Sequence, residues 1–256
     1  MSLTTLVEIR RESPVAATLR LDLGGAPLEY RPGQYVTIDP HQFEALGPAL
    51  RERAAKRGRP EGAGYFSLSS DATDPGAVEL TVKAGPSTAA PLPHFLLRDA
   101  RPGLTIAITG PAGRYFLPAD PPAGIQGFLH LCAGSGVAPN RGMVRHALAR
   151  GWTQRHVLLL QERTPEDVLF RSEWGELLRT HDDRFRMRTV FSSSSQYVTP
   201  EIVRQAMAGF IEADSSLAFL CGPNAARNGR PGFLDHWKSA LREAIGFPPS
   251  NVITEG

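Results

Sequence analysis

A glycine-broken turn between an apolar run and a helical stretch constrains this chain more than any other feature. Gly127-Phe128-Leu129-His130-Leu131 is apolar except for His130, and Cys132-Ala133-Gly134-Ser135-Gly136-Val137-Ala138-Pro139 follows. Asn140 to Arg150 then reads as a helix. Strand, glycine turn and helix in that order aim backbone N–H groups and a helix dipole at a phosphate. Gly134 and Gly136 let the backbone turn sharply and approach a ligand. Pro139 suits a first helical turn, where its missing N–H costs nothing. Such a turn also serves as a plain connection. A second one, Cys221-Gly222-Pro223 after Leu217-Ala218-Phe219-Leu220, favours the phosphate reading.

The surrounding pattern splits the 256 residues in two. In the first half, Thr4 to Ile9, Ala17 to Leu23 and Gly33 to Ile38 read as strands between turn residues. Val78, Leu80 and Val82 alternate with Glu79, Thr81 and Lys83, the mark of a half-buried strand, and Leu104, Ile106 and Ile108 repeat it. Antiparallel strands at this spacing predict a sandwich or barrel. The cluster Pro118-Ala119-Asp120-Pro121-Pro122 reads as a linker. Beyond it, strands at Val157–Leu160, Arg188–Phe191 and Leu217–Cys221 alternate with helices at Ser172–Leu178, from Thr199-Pro200, and at Phe233–Ile245. That alternation predicts a parallel, helix-covered, Rossmann-like sheet. The expected domains are an antiparallel β-barrel over 1–120 and an α/β domain over 125–256. Between the strands of the first half, Leu46 to Gly58 reads as a helix showing Arg51, Arg53, Lys56 and Arg57. It is either a solvated surface or a docking face for an acidic partner.

Composition narrows the function classes. Net charge is +2, which gives no bulk electrostatic reason for nucleic-acid or membrane binding. No long apolar segment suggests a signal peptide or membrane span, so a cytoplasmic location is expected. The two cysteines, Cys132 and Cys221, supply neither a disulfide framework nor the four ligands of a cysteine-bound iron–sulfur cluster. Seven histidines show no metal-ligand spacing, so no metal site is expected. Gly134-Ser135-Gly136 lacks the elbow pattern of a serine hydrolase. Cys132 and His130 read as core residues. The ends of the chain, including Glu255, carry little weight in this reading.

Five segments in order resemble the ferredoxin–NADP reductase superfamily across nearly the whole chain: Arg31-Pro32-Gly33-Gln34-Tyr35, Tyr65-Phe66-Ser67-Leu68-Ser69-Ser70, Gly110-Pro111-Ala112-Gly113-Arg114-Tyr115-Phe116, Gly134 to Pro139, and Cys221-Gly222-Pro223. The resemblance implies an FAD-binding barrel and an NADPH- or NADH-binding domain. Hydride passes from nicotinamide to flavin, and electrons then leave to a separate acceptor protein, an iron–sulfur or flavin carrier or an oxygenase partner. It places Ser67 by flavin N5 and Cys221 beside the nicotinamide as the catalytic pair. Tyr65, Phe66, Ser67, Leu68 and Ser69 fall in the flavin motif, where Gly64 stands in place of the usual arginine and Phe66 in place of the tyrosine. Arg59 and Arg31 are the candidates to replace that arginine. Lys83, Gly85 and Ser87 occupy the pyrophosphate loop, or a plain polar turn. Gly134, Ser135, Gly136, Val137, Ala138 and Pro139 line the nucleotide turn, with Gly222 and Pro223 opposite.

At the second strand end, Glu162 favours a free ribose hydroxyl and Arg163 a 2′-phosphate. The family's frequent arginine there tips the expectation toward NADPH. Thr164 is expected to cap the next helix, and Ser192 to Ser195 reads as a polar loop. Arg227-Asn228-Gly229-Arg230-Pro231-Gly232 departs from the family as a loop insertion whose two arginines are candidates for a nucleotide phosphate or a partner, and of the aromatic or acidic residue with which the family often ends near the flavin this chain offers only Glu255. Two rivals stand beside this reading: a flavin-binding electron-transfer subunit of a larger complex, and a degenerate member with impaired flavin binding through Gly64 and Phe66.

Overall fold

The computed structural model describes residues 1–85, 91–225 and 231–255. Ser87 and residues 227–230 of the loop insertion lie outside the described residues. The first half forms strands β1 (Ser2–Ser13), β2 (Ala16–Asp22), β3 (Tyr35–Ile38), β4 (Gly64–Ser67), β5 (Ala77–Lys83) and β6 (Thr105–Ala112). Their order in one sheet is β4-β3-β6-β1-β2-β5, with every pairing antiparallel. The two edges meet where Leu68 bridges Leu80 and Ser69 N–H donates to the Glu79 carbonyl (2.8 Å). The sheet thereby curls into a barrel. Leu6, Leu19, Leu21, Val36, Ile38, Leu68, Leu80, Ile106 and Ile108 fill it.

Two helices join the barrel. Helix α1 (Gly47–Arg57) ends on Gly58 in the left-handed region, as the sequence suggests. Three of its four basic side chains are engaged: Arg53 and Arg57 pair with Glu61, and Lys56 pairs with Glu52. Helix α2 (Pro91–Arg98) is absent from the sequence reading, because its two prolines mask the apolar periodicity of Leu92, Phe95 and Leu96.

The second half forms a parallel sheet of β7 (Gly127–Ala133), β8 (Arg155–Glu162), β9 (Phe185–Phe191), β10 (Ser216–Cys221) and β11 (Val252–Thr254), in the order β11-β10-β7-β8-β9. Strand β7 is buried along its whole length, as a continuous apolar run in a helix-covered sheet must be. Helices α3 (Val137–Ala149), α4 (Arg171–Thr180), α5 (Pro200–Met207) and α6 (Phe233–Ala240) flank it. Helix α3 starts three residues earlier than expected, so Val137, Ala138 and Pro139 are helical. Thr199 caps α5 through its hydroxyl, with Pro200 at the first helical position. Thr164 precedes a single 3-10 turn, Pro165–Asp167, rather than an α-helix, and Asp167 accepts from its N–H and hydroxyl.

Strand β5 departs from expectation in burial. Its alternation is real, but Glu79 and Thr81 on the polar side are buried as well. That face is covered by α3 of the other sheet. Arg141 of α3 is 1% exposed and donates to Glu79 (2.5 Å), to Glu173 of α4 (2.7 Å) and to the Ser69 carbonyl (2.9 Å). The two halves therefore meet through buried, charge-assisted hydrogen bonds. Among the described residues, no helix is long and apolar enough to cross a membrane, and no group of three His, Cys, Asp or Glu side chains is placed to hold a metal ion.

Candidate functional site

A cleft of about 1110 Å³ opens between the sheets, at the carboxyl ends of β7 and β10. Ligands of open α/β sheets bind at strand ends of this kind. Its floor on the α/β side is the turn Gly134–Gly136, with Gly134 at φ +59°. Gly136 lies so close to β10 that a Cβ there would sit 2.3 Å from the Cys221 carbonyl oxygen. Only glycine lets turn and strand touch in this way. From the barrel, β4 and the end of β5 supply Tyr65, Phe66, Ser67, Thr81 and Lys83.

Three side chains connect the two walls. Ser67 donates from Oγ to Glu255 Oε1 (2.7 Å), and the Cys221 thiol donates to Glu255 Oε2. Burial pushes the Cys221 thiol well above its ordinary range, and the neighbouring Glu255 charge pushes it further. Cys221 is therefore a protonated donor rather than a thiolate nucleophile. Glu255, given little weight from sequence, is the acceptor that joins barrel to α/β sheet. Strand β11 delivers it: Ala218, Phe219 and Leu220 pair with Val252, Ile253 and Thr254, which brings residue 255 beside Cys221. The signal in the sequence is the short β-branched run Val252-Ile253-Thr254 ahead of a lone carboxylate.

The other expected site residues divide. Tyr65, Phe66, Ser67, Lys83, Gly85, Gly134, Ser135, Gly136, Ala138, Cys221, Gly222 and Pro223 all line the cleft. Five do not. Leu68 fills the barrel core, and Ser69 is fully buried with its hydroxyl accepting from Thr81 (2.9 Å). Val137 and Pro139 are buried within α3, because the helix begins at the turn itself. Arg163 points outward and is exposed, while Glu162 turns inward beside Lys83 (3.2 Å). Burial raises the Glu162 carboxyl above its usual range, against the pull of Lys83. Ser193 N–H donates to the Arg163 carbonyl (3.0 Å), which sets the serine loop against this strand end.

Strand alternation sorts the aromatic pair. Tyr65 is 71% exposed and packs edge-on to Tyr35 with ring centroids 5.4 Å apart. Phe66 turns into the barrel core, and its ring lies over Gly64: a Cβ on Gly64 would meet both Phe66 Cε2 and Leu92 Cδ2 at 2.9 Å. Neither Arg31, which stacks on Phe116 at 4.9 Å, nor Arg59 lines the cleft; Lys83 and Arg114 do. Gly64→Arg is accordingly expected to crowd Phe66 and Leu92 and to lower stability by about 1–3 kcal/mol without tightening FAD binding. Thermal melts and a flavin titration check this.

His130 is a satisfied internal histidine, as the sequence suggests. It bonds Asn140 Oδ1 (2.9 Å) and His156 (3.1 Å), and burial lowers its pKa to about 4. Cys132 is fully buried.

An oxidoreductase NAD-binding domain family model matches residues 131–228, the span that holds the glycine turn and Cys221. An NADPH oxidoreductase of Mycobacterium tuberculosis is 31% identical over 179 residues, covering 69% of this chain and 42% of that protein. The chain thus spans less than half the length of that relative. A ferredoxin–NADP reductase B of Sorangium cellulosum is 25% identical over 98% of this chain and 95% of its own length. Among solved structures, the Amycolatopsis cytochrome P450 reductase GcoB superposes with a TM-score of 0.77 at 21% identity, over 99% of this chain and 68% of that one. With the barrel, the parallel sheet and the cleft between them, these likenesses leave one assignment: the chain belongs to the ferredoxin–NADP reductase superfamily.

Proposed function

We propose that this chain is an NAD(P)H-dependent flavin oxidoreductase that passes electrons from a nicotinamide nucleotide through FAD to a separate acceptor protein. The barrel over 1–120 would hold the flavin and the α/β half over 125–256 the nucleotide. The observation that carries the reading is the Ser67–Glu255–Cys221 set, which joins a barrel hydroxyl to a thiol at the edge of the glycine turn. The residues fit the group. A cleft of about 1110 Å³ lies just above the roughly 300–1,000 Å³ of ordinary small-molecule sites. Gly134, where a Cβ would meet Lys83 Nζ at 3.8 Å, leaves the backbone of the turn open to the cleft, and Lys83 and Arg114 bring cations where Gly64 offers none.

Bound FAD supplies two-electron uptake from a nicotinamide and one-electron release to a carrier. The chain's residues orient and select. Ser67 offers a hydroxyl fixed by Glu255. Cys221 packs a small, uncharged, polarizable group beside the turn. Gly134–Gly136 and the start of α3 receive a diphosphate. Glu162, 4% exposed and paired with Lys83, is withdrawn from a ribose hydroxyl, while the exposed Arg163 beside Ser193 would be left to meet a 2′-phosphate, and this favours NADPH over NADH. The printed name of the Sorangium relative, a ferredoxin–NADP reductase, supports an iron–sulfur carrier as the acceptor.

The test is spectral. Protein reconstituted with FAD is expected to retain flavin bands after gel filtration. Anaerobic NADPH should bleach those bands faster than NADH does. Protein that emerges without flavin after exposure to excess FAD overturns the proposal.

A further inference from the structure

Helix α3 does more than start at the glycine turn. One of its faces is laid directly on the segment that carries Ser67. Arg141 Nη1 donates to the Ser69 carbonyl (2.9 Å), Arg145 Nε to Asp71 Oδ2 (3.0 Å) and His146 Nδ1 to the Asp71 carbonyl (2.5 Å). Between them, Gly142 brings backbone against backbone: a Cβ there would lie 2.5 Å from the Ser70 carbonyl oxygen, about 1 Å inside ordinary van der Waals contact. Positions 141, 142, 145 and 146 form one helix face. Arg141 is anchored on every side, by Glu79 of the barrel, by Glu173 of α4 and by the Phe170 ring at 4.6 Å from its guanidinium carbon. The helix therefore acts as a strut. Its first residues follow the turn Gly134–Gly136, and its next turn is fixed to residues 69–71, two to four positions beyond Ser67.

We infer that Arg141 and Gly142 are positioning residues, which fix the spacing between Ser67 on the barrel and the glycine turn and Cys221 on the parallel sheet. The inference rests on the proposed oxidoreductase reading for its kinetic consequence and on geometry alone for its structural one. Neither residue lines the cleft, so neither touches a ligand there. Their effect passes through the distance between two walls. Reaction rates fall steeply with such displacement: about 1 Å of misplacement, from a change far from the chemistry, costs about 100-fold.

Gly142→Ala inserts a wedge and removes no polar group. Arg141→Lys keeps the charge and loses the planar fork that holds two carboxylates and a carbonyl at once. Gly175→Ala is the control, because a Cβ on this α4 glycine meets nothing within 4 Å. Two readouts apply to the full chain. In FAD-free protein, iodoacetamide alkylation mapped by mass spectrometry reports how far the cleft walls stand apart. Cys221 is expected to label faster in both variants than in wild type or the control, while the fully buried Cys132 stays unlabelled. In FAD-loaded protein, stopped-flow reduction by NADPH is expected to slow by about 100-fold in Gly142→Ala, with nucleotide affinity unchanged.

Wild-type alkylation and reduction rates in both variants overturn the inference. So does a rate loss that merely follows lost nucleotide affinity. If Gly142→Ala does not fold, Arg141→Lys decides by the same criteria. If neither folds, the contact serves stability alone and the inference fails. Wild-type protein that takes no FAD defeats the oxidoreductase reading instead, and the alkylation readout still tests the strut.

Discussion

Ser67→Ala is expected to slow NADPH-driven reduction of bound FAD by about 100- to 1000-fold while leaving the fold and nucleotide affinity intact. With its one proton on Glu255, Ser67 Oγ offers its lone pairs to a ligand, and the magnitude is that of removing one preorganised hydrogen-bonding group from a water-poor reacting centre. The preorganisation is visible: Glu255 accepts from Ser67 on one oxygen and from Cys221 on the other, so the hydroxyl has a fixed direction before any ligand arrives. The alanine variant loses that hydroxyl and leaves Glu255 Oε1 without its donor. Glu255→Gln keeps an acceptor oxygen for only one of the two donors, and its rate is expected to fall between wild type and Ser67→Ala. Burial and the Glu255 charge hold Cys221 protonated through neutral and mildly alkaline pH, so no rate change from ionisation of this thiol is expected there. Stopped-flow absorbance at the flavin band, across a nucleotide series and a pH series, measures all three. A Ser67→Ala rate within threefold of wild type, a spread of the kind that leaves a contact energetically unimportant, removes the hydroxyl from the chemistry.

What could be read in the sequence is what depends on local periodicity. The unbroken apolar run of β7, the glycines after it, and the alternation of Val78, Leu80 and Val82 each report a strand environment through neighbours along the chain. What escaped depends on surfaces brought together from far apart. Glu79 and Thr81 look like solvent-facing residues by period. They are buried because α3, some sixty positions on in the sequence, covers their face with Arg141. Glu255 is isolated in sequence and gains its role only when β11 pairs with β10. Gly64 looks like the loss of a phosphate-binding arginine. In the fold its space belongs to Phe66 and Leu92, so the barrel core has closed over that position. Arg163 and Glu162 are neighbours in sequence and go to opposite sides of the strand end, one exposed and one beside Lys83.

Arg141→Ala is expected to destabilise the protein by about 3–5 kcal/mol at neutral pH, the range for removing one partner of a buried ion pair. The cost comes less from the lost attraction than from what stays behind: Glu79, 7% exposed, keeps a charge in a face sealed by α3, with Arg10, itself 41% exposed, left to pair with it. Burial alone pushes the Glu79 carboxyl up. The guanidiniums of Arg141 and Arg10 outweigh it and hold the group below its ordinary 4.5. A depressed folded pKa contributes stability that is present above the unfolded value and is lost as pH falls through the folded one. Wild-type stability is therefore expected to drop on acidification below about 4.5, with Asp71, held below 3.8 by Thr73 and Arg145 against its own burial, adding to the fall. In Arg141→Ala the leading cation on Glu79 is gone and Arg10 is left to oppose burial, so the depression of the folded pKa shrinks, and with it the stability that acid removes. Acidification therefore takes less stability from the variant than from wild type. The difference in stability between the two proteins is thus expected to shrink as pH is lowered through the carboxylate range. Denaturant midpoints across that range measure it, and a difference that stays constant with pH would show that Arg141 supports the interface by packing on Phe170 rather than by charge.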